Sequence, residues 1–308
     1  MYTETIHALA DQAAAKLEAQ RLSLPSHFVR SMLAGMYVGA SIVLIFTIGG
    51  SLAGEATRPF QRLLMGVCFG GALTLVIFAG SELFTGSNLV LTLGVLTRRA
   101  RVRDLADNWV WTWLGNLAGS LLLAWLVASS GLLDGGNKAF AGINEFIYRV
   151  FAAKTAPPWN QLFVRAILAN WLVCLGVWMA ARTKSEPARI LLIFWCMFTF
   201  ITSGYEHSVA NMCGLGLALL VPGAPPSGVE ATWGLYFYNL TWTTLGNIVG
   251  GAVFVGGLYW IGSPKARALA AAEKRDAEPL PVAGQVRTLP ERDGRLQPCP
   301  TTAEENTP

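Results

Sequence analysis

Charge is scarce in this chain. Only 14% of its 308 residues are Asp, Glu, Lys or Arg, against about 25% in an ordinary soluble domain. With 53% hydrophobic residues and a mean hydropathy of +0.44, this shortage excludes a soluble globular protein. It points instead to a chain that crosses a bilayer several times. The net charge of +4 is too small to call for a nucleic-acid partner. Cysteine is sparse as well. Cys68, Cys174, Cys196, Cys213 and Cys299 show no ligand spacing, and the first four lie in apolar runs as small hydrophobes. No disulfide framework, metal site or other cofactor is expected. The polar stretch 1–20 lacks the short apolar core of a cleaved signal peptide.

Long apolar runs are what the chain has. A span needs about 20 apolar residues, and six segments qualify, near 28–50, 62–97, 108–131, 161–181, 189–221 and 234–262. The second and fifth exceed one straight helix. Each carries a polar break, Gly80 to Asn88 in one and Ser203 to Asn211 in the other. Irregular backbone at membrane depth survives only where protein buries it or it lines a cavity. Two discontinuous helices are therefore expected. One set of connections holds Arg98, Arg99, Arg101, Arg103, Arg182, Lys184, Arg189, Lys265 and Arg267. Being short and basic, these connections belong in the cytoplasm, together with both termini. Ile6, Leu9, Ala10, Ala13, Ala14 and Leu17 recur at helical spacing, so 1–27 is expected to hold an amphipathic helix on the cytoplasmic face. The domain that holds the six spans is expected to be 28–262. Residues 263–308 are rich in Pro, Ala and charge and read as a disordered tail.

The halves of the chain match in three ordered blocks. Phe28 to Gly35 resembles Phe163 to Asn170, and Gly80-Ser81-Glu82 resembles Gly204-Tyr205-Glu206. Asn108 to Gly119 resembles Asn239 to Gly250. Three spans per half is an odd number, so the halves face opposite ways. Such a repeat brackets a site near the midplane, built by its broken helices. Gly115, Gly119, Gly246 and Gly250 form small-xxx-small patterns, best read as close helix packing. Of the three histidines, only His207 lies inside a membrane segment. An ionisable group there is costly and is expected to serve a pathway.

Ser81-Glu82-Leu83-Phe84-Thr85-Gly86, Asn170-Trp171-Leu172-Val173-Cys174, Gly204 to Met212 and Leu245-Gly246-Asn247 resemble the formate/nitrite transporter family. The resemblance covers about residues 1–265, and the Glu-His-Ser-x-Ala-Asn block is its most specific part. Tyr205 and Thr85-Gly86 favour the family's nitrite branch over its formate channels. The resemblance implies an all-α polytopic protomer, aquaporin-like, with a pore in each subunit of a homopentamer. It puts the central histidine on His207, with Glu206 and Asn211 in the same motif. It also implies pathway roles for Thr85, Asn170 and the vestibule lysine Lys154. Apolar constrictions fall on Phe69 and Phe200 toward the periplasm, and on Leu73 and Leu83 toward the cytoplasm.

The expected function is passage of nitrite or a related monovalent anion across a bacterial inner membrane, with His207 donating a hydrogen bond or a proton. Formate or hydrosulfide is the nearest alternative, and a neutral-solute pore for water or ammonia a more distant one. A membrane enzyme would need a second catalytic group, and a haem anchor would need paired membrane histidines. His7 and His27 lie outside or at the edge of the spans, so neither fits.

Overall fold

A computed structural model describes residues 2–133, 141–222 and 225–277. Among them there are helices and no strands. The elements are α1 (Thr3–Leu22), α2 (Leu24–Ser51), α3 (Arg58–Cys68), α4 (Gly71–Phe78), α5 (Phe84–Leu96), α6 (Val102–Ser129) and α7 (Ala141–Thr155). They continue with α8 (Trp159–Ala180), α9 (Glu186–Thr202), α10 (Ser208–Leu220), α11 (Trp233–Ile248), a π-helical segment Val249–Gly257, α12 (Leu258–Ile261) and α13 (Pro264–Ala277). Among the described residues, five stretches are long and apolar enough to cross a membrane: Leu24–Ser51, Arg58–Phe78, Val102–Ser129, Trp159–Ala180 and Trp233–Ile261. Phe84–Leu96 and Ser208–Leu220 are apolar but shorter.

Local chemistry sets several helix starts. The Ser23 hydroxyl accepts from Ser26 N–H and opens α2, the Ser185 hydroxyl accepts from Ala188 N–H and opens α9, and Thr232 opens α11 on Leu235 N–H. Each removes one of the orphan donors that every helix start exposes. Pro25 and Pro187 sit in the first turn, where the missing N–H costs nothing.

Glycine allows the long helices to approach at backbone distance. A Cβ on Gly119 would run into the Met32 carbonyl, and one on Gly250 into the Ile167 carbonyl. The first contact seats α6 on α2, and the second seats the start of the π-helical segment on α8. Such contacts replace the hydrophobic driving force that lipid does not supply between helices.

Three features depart from, or extend, the reading of the sequence. The apolar stripe of α1 (Ile6, Leu9, Ala10, Ala13, Leu17) is buried in protein, packed with Leu89, Leu91 and Leu93 of α5. The helix is thus part of the core and does not merely rest on a surface. Helix α7 was not expected at all. It buries Ile143, Phe146, Ile147 and Phe151, and Phe146 meets Phe46 of α2 edge-on at 5.6 Å. Pro264–Ala277, expected to begin a disordered tail, is helical. It has Pro at its start and is then rich in Ala and Lys/Arg, all good helix formers. The chain divides into two units, Met1–Ala270 and Ala271–Pro308. The rest of the expected tail, 278–308, lies outside the described residues.

Candidate functional site

The polar stretches of the two halves are built alike. Each begins at a glycine in the left-handed region, Gly80 (φ 76°) and Gly204 (φ 74°), which only glycine adopts without strain. Glu82 N–H donates to the Arg30 carbonyl at 3.2 Å, and Glu206 N–H to the Arg165 carbonyl at 3.3 Å. A buried asparagine then clamps each stretch. Asn116 Nδ2 donates to Ser31 O (2.7 Å) and Glu82 O (2.8 Å), while its Oδ1 accepts from Phe84 N–H (2.9 Å). Asn247 Nδ2 donates to Ala166 O (2.8 Å) and Glu206 O (3.1 Å), and its Oδ1 accepts from Ser208 N–H (2.8 Å). These backbone groups could not be left bare in a bilayer. The residue between the clamped carbonyl and the clamped N–H is Leu83 in one half and His207 in the other.

Each stretch also carries a paired carboxylate. Lys154 of α7 donates to Glu206 at 2.8 Å, and Asn211 Nδ2 donates to the same oxygen at 2.7 Å. Lys16 of α1 pairs with Glu82. The two helices that carry these lysines, α1 and α7, each precede a clamped span.

His207 is buried and stands at the start of α10. Its Nδ1 accepts from Ala210 N–H at 3.1 Å, and its Nε2 lies 2.9 Å from Thr85 Oγ1. An Nδ1 that accepts must be unprotonated, so the neutral ring carries its proton on Nε2. Nε2–H therefore donates to Thr85 or to whatever takes its place. The Thr85 carbonyl is held from behind by Asn170 Nδ2 (3.2 Å) and Cys174 Sγ (3.2 Å). Asn170 Nδ2 also reaches Asn88 Oδ1 (3.0 Å) and Asn247 O (2.6 Å), tying the two halves together beside the histidine.

Three cavities line up on this centre. A vestibule of about 470 Å³ is lined by Lys154, Glu206, His207, Asn211 and Phe200, with Arg58, Arg62, Arg149 and Arg165 around it. A second, of about 430 Å³, is lined by Lys16, Arg30, Glu82, Leu73 and Leu83. Between them lies a gap of about 10 Å³ bounded by Phe69, Leu73, Leu83, Phe200 and His207, together with Val38 and Met197. The Phe69 and Phe200 rings meet edge-on at 5.6 Å, and the Phe200 ring is 5.7 Å from that of His207. A water needs at least about 10–15 Å³, so the gap admits at most a single water and no hydrated ion.

Seven residues expected at the site thus touch a vestibule or the gap around His207: Lys154, Glu206, Asn211, Phe69, Phe200, Leu73 and Leu83. Thr85 and Asn170 line none of these cavities and stand behind the histidine. Asn116, Lys16, Arg30, Val38 and Met197 were given no site role beforehand, and Asn247 appeared only within the Leu245-Gly246-Asn247 motif. The two asparagines sit at matched places in the third repeat block, which is the signal that would have found them. Among the described residues, no group of three or more His, Cys, Asp or Glu side chains could hold a metal ion. The described cysteines are all free.

The sequence profile for the formate/nitrite transporter matches residues 3–261. The chain belongs to that family, whose members are membrane transporters and not enzymes. It is 41% identical over 283 residues to the nitrite transporter NirC of Salmonella typhimurium, covering 90% of this chain and 98% of that one. Its fold is similar to a solved FNT family ion channel (TM-score 0.75, 42% identity, 85% of this chain and all of the other). It is also similar to a pentameric formate channel with formate bound (TM-score 0.67, 27% identity, 79% of this chain and 98% of the other).

Proposed function

We propose that the chain forms a pore for a small monovalent anion, nitrite first, in a bacterial inner membrane. The carrying observation is the place of His207. It stands at the wall between two vestibules of about 470 and 430 Å³, with its Nε2–H directed away from its own helix. The relatives named nitrite transporter NirC, at about this chain's full length, support nitrite over formate. The protomer would have six spans in an inverted repeat, with spans two and five broken at the polar stretches. Both termini would be cytoplasmic. The pentameric formate channel supports assembly as a homopentamer with a pore per subunit.

The energetics follow from the gap. Stripping a bare anion of water costs tens of kcal/mol in an apolar medium, so the apolar ring alone is a barrier. Basic side chains concentrate anions at both mouths. The start of α10 offers the positive end of its helix dipole beside the gap. His207 Nε2–H would leave Thr85 and donate to the anion as it sheds water. The Ala210 bond to Nδ1 favours this hydrogen-bond role over a standing imidazolium, which would have to give that bond up. Proton transfer to the anion is the finer alternative. It would let the neutral acid cross the Phe and Leu ring.

Nitrite, formate and chloride fluxes into proteoliposomes, measured for wild type and His207→Phe across pH, test the reading. Expected are nitrite flux well above chloride flux and its loss in the variant. Unchanged nitrite flux with an unchanged pH profile would overturn the role of His207. Flux of water or ammonia alone would favour a neutral-solute pore.

A further inference from the structure

We infer that Gly251, in the π-helical segment, is a positioning residue that sets Thr85 against His207. The inference rests on the reading of His207 as the donor of the pore and adds a residue that acts behind it. The two halves of the repeat differ at this place. Helix α6 is α-helical throughout, whereas the last span turns π-helical over Val249–Gly257. A π turn bonds residue i to i+5, is rare, and recurs at functional sites. In the first half, α6 presses on α2 at Gly35, where a Cβ would run into the Asn116 carbonyl. Asn170 is the match of Gly35 in the repeat. Its side chain fills the corresponding place, with Nδ2 2.6 Å from the Asn247 carbonyl oxygen. Gly251 follows the third repeat block and matches Ser120, whose hydroxyl donates to the Gly35 carbonyl at 3.3 Å.

The π-helical segment packs on α5 and α8, the helices of Thr85 and Asn170. Gly251 is buried between them. A Cβ there would stand 2.8 Å from Asn170 Nδ2, from Cys174 Sγ and from Asn88 Cβ, so something would have to move. Asn88 Cβ is fixed to the backbone of α5. Asn170 Nδ2 and Cys174 Sγ are side-chain ends, and they give way first. They are also the two groups that hold the Thr85 carbonyl, each at 3.2 Å. Thr85 Oγ1 in turn lies 2.9 Å from His207 Nε2. The missing side chain at Gly251 is therefore the space in which Asn170 and Cys174 fix Thr85.

His7, His27 and His207 are the only histidines, so isotope labelling of histidine nitrogen makes the pair visible to solid-state NMR of the protein in liposomes. His207→Phe assigns the Nε2 signal. Wild type, Gly251→Ala, Asn170→Ala and the double variant are compared, with melting temperatures measured alongside. Gly251→Ala should move the His207 Nε2 signal. Asn170→Ala should move it too. The double variant should move it no further than Asn170→Ala, because the effect of Gly251 runs through that side chain. A glycine needed only for packing would lower the melting temperature and leave the signal in place. That outcome overturns the inference, as does a Gly251→Ala shift that adds in full to the Asn170→Ala shift. Should Gly251→Ala fail to assemble, the double variant decides. Assembly restored by Asn170→Ala supports the inference, and assembly not restored overturns it. Because no flux is read, loss of the pore reading shows up separately.

Discussion

Asn247→Ala should uncouple the histidine from its frame. The native side chain makes three bonds, two as donor and one as acceptor, and is fully buried. The Ala166 carbonyl belongs to α8 and is the least dependent on it. The Glu206 carbonyl and Ser208 N–H belong to a non-helical stretch and a first helical turn, so they lose their partner outright. Each buried unpaired group costs about 1–3 kcal/mol, or roughly 2–6 kcal/mol for the two. That is a large fraction of the about 5–15 kcal/mol that holds a typical fold together. Since these groups flank His207, the stretch would relax by moving that residue, and Nε2 would leave its 2.9 Å contact with Thr85. Nitrite flux in proteoliposomes should fall at least about tenfold, the effect of 1.4 kcal/mol, and the melting temperature of the purified protein should drop. Asn116→Ala is the matched control. It bares the Glu82 carbonyl and Phe84 N–H, which flank Leu83. It should lower the melting temperature about as much, with a smaller loss of flux per folded molecule. Wild-type melting and flux in Asn247→Ala, or equal flux losses in the two variants, would refute the reasoning.

Thr85→Val removes the resting partner of His207 Nε2, worth about 0.5–1.5 kcal/mol net. Nitrite flux should change by about two- to tenfold, with assembly unaffected, as flux assays and size-exclusion chromatography would report. Lys154→Gln leaves the buried Glu206 carboxylate with Asn211 as its described partner. Flux should fall, and Glu206→Gln in the same chain should recover part of it. A double-mutant cycle with no coupling would remove the pair from the account. Gly250→Ala drives a Cβ into the Ile167 carbonyl. The overpacking costs about 1–3 kcal/mol, and thermal melting should register it.

Much of the frame is legible in the sequence because lipid imposes simple rules. Apolar length and the absence of strands follow from the need to satisfy backbone groups internally. His207 is conspicuous because ionisable groups are rare at membrane depth. Helix α7 escapes the same logic. Arg149 and Lys154 interrupt its hydropathy, although Ile143, Phe146, Ile147 and Phe151 keep a helical face. The burial of α1 was hidden for a related reason. An amphipathic stripe fits a bilayer surface and a protein groove equally well, and only packing on α5 decides between them. Asn170 was legible only through the family resemblance, and its bonds to the Thr85 carbonyl, Asn88 Oδ1 and the Asn247 carbonyl join segments that no periodicity connects. Lys16 and Glu82 are 66 positions apart, and no periodicity connects them.

The paired asparagine clamps have a further consequence. Asn116 bonds only within the first half of the chain, and Asn247 only within the second. Each half therefore carries its own means of holding its loop. Bonds cross between the halves where Asn170 and Cys174 reach Thr85 and His207 meets it, and again where Trp113 Nε1–H donates to Thr244 Oγ1 at 3.0 Å. After a duplication, two such halves could each keep their loop intact without adjusting to the other. The two loops are thus held in like frames by like asparagines, and the frames present unlike side chains, Leu83 in one and His207 in the other.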